Sequence, residues 1–549
     1  MSSARQRDVL PMPPFELHSF DRNCLSRCSI RRLTRKNKIL SWANEGIGVL
    51  NQLGCGQGTQ VPLPSSHSSQ GTFRAREHVA KAYGSLERPP DSLSSEGALS
   101  ALLANAGFYS DCRNDILPYA QDKVSWPARG SKPVSLVDGL APADRKLLHN
   151  WDSYMLRDSD DYHTHISTHH VYKPYCDPEL MRDPTSYGKF LQRLHDAGML
   201  RWRVATEKQG ALGIFFVKKK DGSLRLIFDT RKLNLKFKDP PKTELPTSAA
   251  LSQIEGPAGC DLLISAGDIR NAFYAFEVPE GLSDMFTLPL IDAQHANVHC
   301  IDGIAINPDT LLTPCLTVLP MGWNWSLHLC QSYTSNVVKQ ICGESNFFSD
   351  RSGSKVVSDA HSVICTTYVD NYAVFGANKQ AVNSCSMNIS KAFIDLGLQV
   401  HEQVSATNDG EFIGLRLHRN HLSVKPSRIW KVRFALMKLV NFRRVSGKVL
   451  EIIVGHITWI MLIRRESLSL LQDTYKFIHQ HKDSFGDMPP TVRKELMNVS
   501  AILPLLRVCL TSQWDPRVHA SDASSSGLGV CSRLIDPAQA GNIGRISEK

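Results

Sequence analysis

Two Asp residues stand far apart in the chain, each at the end of an apolar, β-prone run. Leu262, Leu263 and Ile264 lead to Asp268 in the stretch Gly267-Asp268-Ile269-Arg270-Asn271-Ala272-Phe273. Val363, Ile364 and Cys365 lead through Thr366, Thr367 and Tyr368 to Val369-Asp370-Asn371. Runs rich in Val, Ile, Thr and Tyr predict strands. Carboxylates at the exposed ends of two neighbouring buried strands can hold Mg²⁺, a hard cation that prefers carboxylate and phosphate oxygens. A pair of such ions stabilises both the attacking and the leaving oxygen of a displacement at phosphorus. The predicted chemistry is phosphoryl transfer, as in a nucleotide polymerase.

A basic ribbon precedes these turns. Ile214-Phe215-Phe216-Val217-Lys218-Lys219-Lys220 is followed by Asp221-Gly222 and then by Ser223-Leu224-Arg225-Leu226-Ile227-Phe228. Asp-Gly between two strand-like runs is a strong hairpin signal. A two-residue turn would set Lys218 across from Arg225 and Lys219 across from Leu224. Lys and Arg near the tip of such a ribbon can clamp a triphosphate, Arg through a bidentate fork. Taken alone, the ribbon is by default a solvated hairpin.

The rest of the chain must position these groups. Its 549 residues leave room for three or four domains at roughly 150 residues each. Hydrophobic residues make up 42%, enough for a sizeable core, and the net charge of +10 permits a phosphate-backbone partner without demanding one. The 14 cysteines are scattered rather than arranged as a disulfide framework. The N-terminus has no apolar signal region, and no apolar run approaches the length of a membrane span. These features predict an intracellular protein, nuclear or cytoplasmic, not secreted and without a transmembrane segment.

Residues 1–170 read as a basic, low-complexity region that is largely disordered. Its basic run over residues 22–38 (Arg27, Arg31, Arg32, Arg35, Lys36) is a nuclear import signal, a nucleic-acid arm or a solvated tail. Cys24 and Cys28 lack a second pair for zinc, and His163, His165, His169, His170 and Cys176 read as a surface loop. Order is expected from about Asp177, with a helix over residues 187–199. Further amphipathic helices are expected over residues 425–442 and 447–465.

The order of these elements carries a resemblance. Residues 218–234, from Lys218 through Asp229 to Asn234, resemble the fingers motif of reverse transcriptases from retroviruses and long-terminal-repeat retroelements. Asp268 to Phe273 resembles their first palm motif. Leu319-Pro320-Met321-Gly322-Trp323-Asn324-Trp325-Ser326, running on to Gln331, resembles their Pro-x-Gly motif, and Tyr368-Val369-Asp370-Asn371 resembles the Tyr-x-Asp-Asp turn. Leu396-Gly397-Leu398 and Glu411-Phe412-Ile413-Gly414-Leu415 are similar to the next palm motif and the primer grip.

The resemblance implies an RNA-directed DNA polymerase of a retrotransposon, with an α+β right-hand fold of fingers, palm and thumb and an antiparallel palm sheet. Fingers and palm would span residues 171–420, and thumb and connection helices 421–512. Asp268, Asp370 and Asn371 would be the catalytic set. Asp268, Asp370 and the carbonyl of Ile269 would hold two Mg²⁺ ions, with Mn²⁺ as a substitute. Lys219, or Lys218 by the hairpin count, would grip the incoming deoxynucleoside triphosphate together with Arg225. Phe273 would lie beneath the sugar and clash with a 2′-hydroxyl, Met321 would pack on the nucleotide, and Gly322 would let backbone approach it. The partners implied are an RNA or DNA template with its primer, and no membrane.

Two departures from the pattern stand out. Asn371 occupies the place of a second Asp and offers only a neutral oxygen to a metal. Met321 stands where retroviral enzymes often carry Gln. Near the C-terminus, Val518-His519-Ala520-Ser521-Asp522-Ala523-Ser524 resembles the first strand of a ribonuclease H domain, Asp522 matching its first metal-binding Asp. With the chain ending at Lys549, residues 513–549 would be a truncated, inactive fragment of it. The rival expectation is a catalytically inactive retroelement relic that only binds nucleic acid.

Overall fold

Which apolar run pairs with which decides where the acidic turns meet. The computed structural model describes residues 15–19, 26–55, 70–84, 86–104, 116–127, 132–171, 173–206, 211–219, 221–350, 352–359, 361–523 and 527–546. Two units divide it, Met1–Leu86 and Glu87–Lys549. The first contains the helices Arg27–Cys55 and Gln70–Gly84. The expected disordered basic run is thus helical from Arg27 onward, as its Arg, Lys and Leu residues favour. Arg31, Arg32, Arg35 and Lys36 are exposed on that helix. Cys24 lies outside the described residues.

The second unit is a mixture of helices and mostly antiparallel sheets, in keeping with the α+β expectation. In chain order its main parts are α1 (Pro184–Asp196), β1 (Gly213–Lys218), β2 (Leu224–Asp229), β3 (Leu263–Ile269), α2 (Ser326–Cys342), β4 (Val363–Tyr368), β5 (Asn371–Gly376), α3 (Lys379–Asp395) and β6 (Val400–Thr407). They are followed by the helices α4 (Pro426–Leu439) and α5 (Gly447–Met461). The central sheet has the order β4-β5-β3-β6, every neighbouring pair antiparallel. Ile364, Cys365, Thr366 and Thr367 on β4 and Tyr372 through Phe375 on β5 are all buried. Near-continuous burial along a strand means that both faces of the sheet are covered. α2 and α3 supply much of that cover.

Smaller sheets flank this one. β1 pairs with β2 and, on its other edge, with Ile116–Leu117. Asp409–Phe412, Leu415–His418, His421–Val424 and Arg507–Cys509 form a second four-stranded sheet. Its first hairpin turns at Ile413 (φ 44°) and Gly414 (φ 81°), two consecutive left-handed residues as a type I′ turn needs. α5 buries Leu450, Ile453, Ile457 and Ile460. It ends before the expected residue 465 because the chain passes into a tighter helical stretch, and Arg464 there leaves helical geometry at φ −132° and ψ 77°.

Residues 132–170 depart most from the expectation of disorder. They form the helices Leu136–Gly139, Pro142–His149, Trp151–Tyr154 and Ser159–Thr168. Leu136, Leu140, Leu148 and Met155 enter the main core fully buried. A Cβ on Gly139 would collide with the Tyr333 ring of α2, so the segment seats closely on that helix. The order comes from tertiary burial of widely spaced apolar residues, which local composition does not reveal. The histidines expected on a surface loop lie partly on Ser159–Thr168, and the rings of His165 and His169 stack at 3.9 Å. No helix of the described residues is long and apolar enough to cross a membrane.

Candidate active site

The two acidic turns meet because β3 lies between β5 and β6. Asp268 pairs with Asn371 across one edge of β3 and with His401 across the other. Asp370, in the turn between β4 and β5, accepts a hydrogen bond on its carbonyl oxygen from the Ile269 N–H at 2.9 Å. Asp268 and Asp370 are therefore neighbours at one end of a single sheet.

The turn that presents Asp370 is strained and firmly held. Tyr368 pairs with Asn371, which leaves Val369 and Asp370 as a two-residue turn, and Val369 adopts φ 57°. A β-branched residue rarely enters this left-handed region. Side chains of α2 fix it there. Gln331 Oε1 accepts a hydrogen bond from the Val369 N–H at 2.6 Å, and Thr334 Oγ1 donates to the Val369 carbonyl at 2.9 Å. The Gln331 amide also donates to the carbonyl and Oγ1 of Thr367, at 3.1 and 3.0 Å. Strain persists where surrounding contacts over-determine it, a common condition at functional turns. Sequence reasoning placed Gln331 at the end of a motif without giving it this task.

Burial shapes the electrostatics of the pair. Asp268 Oδ1 is buried and has no hydrogen-bond partner among the described residues. Burial, and after it the charges of Asp370 and Glu402, push the Asp268 carboxyl up to about 7. Burial also raises Asp370, against lowering by its own backbone N–H, the Asn371 amide, Arg225 and His401. A carboxylate in this condition gains from any cation placed beside it. Among the described residues no three His, Cys, Asp or Glu side chains converge as a metal cage. The donor set therefore fits an ion held by one or two carboxylates and completed by water and phosphate oxygens, as Mg²⁺ prefers.

Asn371 also has a task within the turn, besides the expected offer of its carbonyl oxygen. Its Nδ2 donates to Asp370 Oδ1 at 2.8 Å, so the amide orients the neighbouring carboxylate. His401, which sequence reasoning missed, lies beside Asp268 on the opposite edge, with Nε2 3.6 Å from Oδ2. Its one sequence signal was a position shortly after the Leu396-Gly397-Leu398 motif, where only a strand register can tell that it faces Asp268.

The basic hairpin corrects the sequence reading by one residue. Lys218 pairs with Leu224 and Val217 with Arg225, while the Lys219 N–H donates to the Ser223 carbonyl at 2.7 Å. The connection thus has three residues, 220–222, ending on Gly222 at φ 83°, a geometry that glycine permits. Alternation then puts Lys219 on the face of Val217 and Arg225, and Lys218 on the face of buried Leu224. Arg225 is exposed, and its charge reaches both Asp268 and Asp370. Lys219 Nζ donates to Ser125 Oγ at 3.0 Å. Lys220 lies outside the described residues.

Phe273 sits in the short helix Ala272–Ala275, half-buried against the main core. Met321 gives its carbonyl oxygen to the Phe228 N–H at 3.3 Å. Gly322 has φ 125°, and a Cβ there would stand 2.5 Å from the Phe228 carbonyl oxygen. Its missing side chain thus serves the approach of its own loop to β2. Asp522 is exposed on the strand Arg517–Ala523 and pairs with Gly529 on Leu528–Leu534.

Residues 217–415 match the family model described as "Reverse transcriptase (RNA-dependent DNA polymerase)". The Intracisternal A-particle Pol-related polyprotein of Mouse intracisternal a-particle MIA14 is 25% identical over 243 residues, which is 43% of this chain and 23% of that protein. The chain thus spans less than a quarter of this curated relative. A solved structure, the foamy viral protease-reverse transcriptase dRH in complex with ds DNA, is 12% identical with a TM-score of 0.43. That alignment covers 89% of this chain and 72% of the other. Reverse transcriptase domains use divalent metal ions. Over residues 217–415 this chain is thus similar to reverse transcriptase domains.

Proposed function

We propose that the chain copies an RNA template into DNA, adding deoxynucleoside monophosphates to a primer 3′-end and releasing pyrophosphate. The observation that carries this reading is the register that sets Asp268 beside Asn371 and ties Ile269 to Asp370 at one end of a buried sheet. Asp268, Asp370 and the Ile269 carbonyl would hold two Mg²⁺ ions, or Mn²⁺ in their place. Such ions, when bound, lower the pKa of the attacking hydroxyl and neutralise charge on the phosphates. The protein's own part is positioning. Gln331 and Thr334 lock the turn that aims Asp370, and Asn371 holds its carboxylate. Arg225 and Lys219, on one face of the hairpin, would bind the triphosphate of the incoming deoxynucleotide. Phe273 and Met321 would border its sugar and base. Residues 171–420 would act as fingers and palm, 421–512 as thumb and connection, and 513–549 as a ribonuclease H-like segment.

The second reading, a retroelement relic that binds nucleic acid without extending it, is favoured by one observation. The Asn371 amide occupies a position where another carboxylate would add charge for metal binding. Primer extension on an RNA template with Mg²⁺ or Mn²⁺ separates the two when the unaltered chain, Asp370→Ala and Asn371→Asp are run side by side. The polymerase reading expects incorporation by the unaltered chain and its loss in Asp370→Ala. A silent unaltered chain that gains activity as Asn371→Asp would establish the relic.

A further inference from the structure

We infer that Cys385 and Cys365 form a peroxide-reactive thiol pair, which oxidation converts reversibly into a disulfide between α3 and β4. Cys365 lies on β4 and is fully buried. Its backbone is fixed by pairing with Val374 and by the Phe348 N–H, which donates to its carbonyl oxygen at 2.9 Å. Cys385 lies on α3 and is partly exposed. The two sulfurs stand 3.6 Å apart, in direct contact. Cys342, the last residue of α2 and also partly exposed, is the other thiol neighbour of Cys365. The two helices that cover the central sheet thus each bring a thiol to one buried sulfur. All three thiols are free, and the chemistry of the acidic turns uses none of them.

The two members of the pair differ in access and in readiness to ionise. The thiolate, not the thiol, attacks an oxidant. A hydrogen bond from the Cys365 thiol holds the Cys385 thiol below its ordinary value, against the effect of burial. Hydrogen bonding with Cys342 and Cys385, and after it burial, holds Cys365 well above its own. Cys385 is therefore the attacking sulfur and Cys365 the resolving one, the arrangement of a reversible thiol sensor. With hydrogen peroxide, the Cys385 sulfur attacks one oxygen. An S–O bond forms, the O–O bond breaks, and hydroxide leaves and takes up a proton as water. The Cys365 sulfur then attacks the sulfenic sulfur. The S–S bond forms, the S–O bond breaks, and the hydroxyl leaves with the Cys365 proton as a second water. The two thiols together give up two electrons, and one peroxide becomes two waters. The remaining approach, to a bond of about 2.05 Å, falls to side-chain rotation of the less buried Cys385. A disulfide is restored by thiols, whereas an unresolved sulfenic acid goes on to irreversible sulfinic acid.

The test treats the reduced full chain with a small molar excess of hydrogen peroxide, alkylates it with N-ethylmaleimide in urea, digests it without reductant and maps the peptides by mass spectrometry. A peptide pair joined through Cys365 and Cys385 is expected, and dithiothreitol should separate it. Cys342→Ser should form the same pair. In Cys365→Ser, Cys385 loses its resolving partner. Its sulfenic acid should be trapped by dimedone, and further peroxide should carry it to a sulfinic acid that dithiothreitol does not reverse. Thermal denaturation reports whether Cys365→Ser is folded, and the maps of the unaltered chain and Cys342→Ser carry the test if it is not. Recovery of Cys365 and Cys385 as alkylated thiols while the exposed Cys260 and Cys300 are oxidised would overturn the inference. So would a bridge from Cys365 to Cys342, or sulfinic acid on Cys385 of the unaltered chain with Cys365 alkylated.

Discussion

At the scale of single residues, Asp268 sets a pH dependence whose sign can be worked out. Its carboxyl is raised from an ordinary value of 3.8 to about 7 in the folded chain, burial being the largest cause. The folded state therefore holds this proton more tightly than the unfolded state between those values. Its stabilising contribution is present below the lower value and is lost as pH rises through the upper one. Thermal denaturation of the metal-free chain should show stability falling across this window, and Asp268→Asn should flatten the fall. Mn²⁺ should raise the denaturation midpoint more at pH 8 than at pH 5. A separate expectation concerns Asn371→Asp, which removes the amide donor from Asp370 and adds a third carboxylate. It should bind Mn²⁺ more tightly and, without metal, denature at a lower temperature than the unaltered chain at pH 8. The types of Asp268, Asp370 and Arg225 were legible in the sequence because chemistry is written in side-chain identity. The donation from Asn371 to Asp370 was not, because it depends on how an amide turns in the folded turn.

At the scale of elements, the decisive object is the β4–β5 turn with α2 beneath it. Gln331→Leu would leave the Val369 N–H buried without its acceptor, at a cost of about 1–3 kcal/mol. Urea denaturation should register that loss, and extension activity should fall although Gln331 contacts neither carboxylate among its hydrogen bonds. Strand existence was readable from the Val, Ile and Thr runs before Asp268 and Asp370, since period and turn residues are local signals. Register was not. The basic hairpin is one residue out from the simple Asp-Gly count because a three-residue connection ending on Gly222 replaces the two-residue one. A slip of one residue exchanges the two faces of a strand, which is why Lys219 and not Lys218 joins Arg225. His401 stayed hidden for the same reason, since its meaning exists only in the pairing of β6 with β3.

Across the whole molecule, the core reaches further toward the N-terminus than composition suggested. Leu148 is fully buried in the main core, and Leu148→Ala should destabilise the fold by about 2–5 kcal/mol in urea denaturation. A disordered tail would tolerate that change without effect. Gly/Ser/Pro-rich neighbours masked the contribution of residues 132–170, because four widely spaced apolar anchors make no periodic pattern of their own. The α+β character, by contrast, was implied by the resemblance, which rests on the order of short local motifs. The net charge of +10 and the expected phosphate contacts lead to one further outcome. Affinity for a primer–template duplex should fall steeply and linearly on a logarithmic scale as salt rises.

Crystals of the chain with an RNA template, a DNA primer and a non-hydrolysable deoxynucleoside triphosphate, grown in Mn²⁺, would test the central claim by anomalous scattering. The account predicts Mn²⁺ peaks beside the Asp268 and Asp370 carboxylates. Anomalous density elsewhere, with both carboxylates free of metal in the ternary complex, would contradict it.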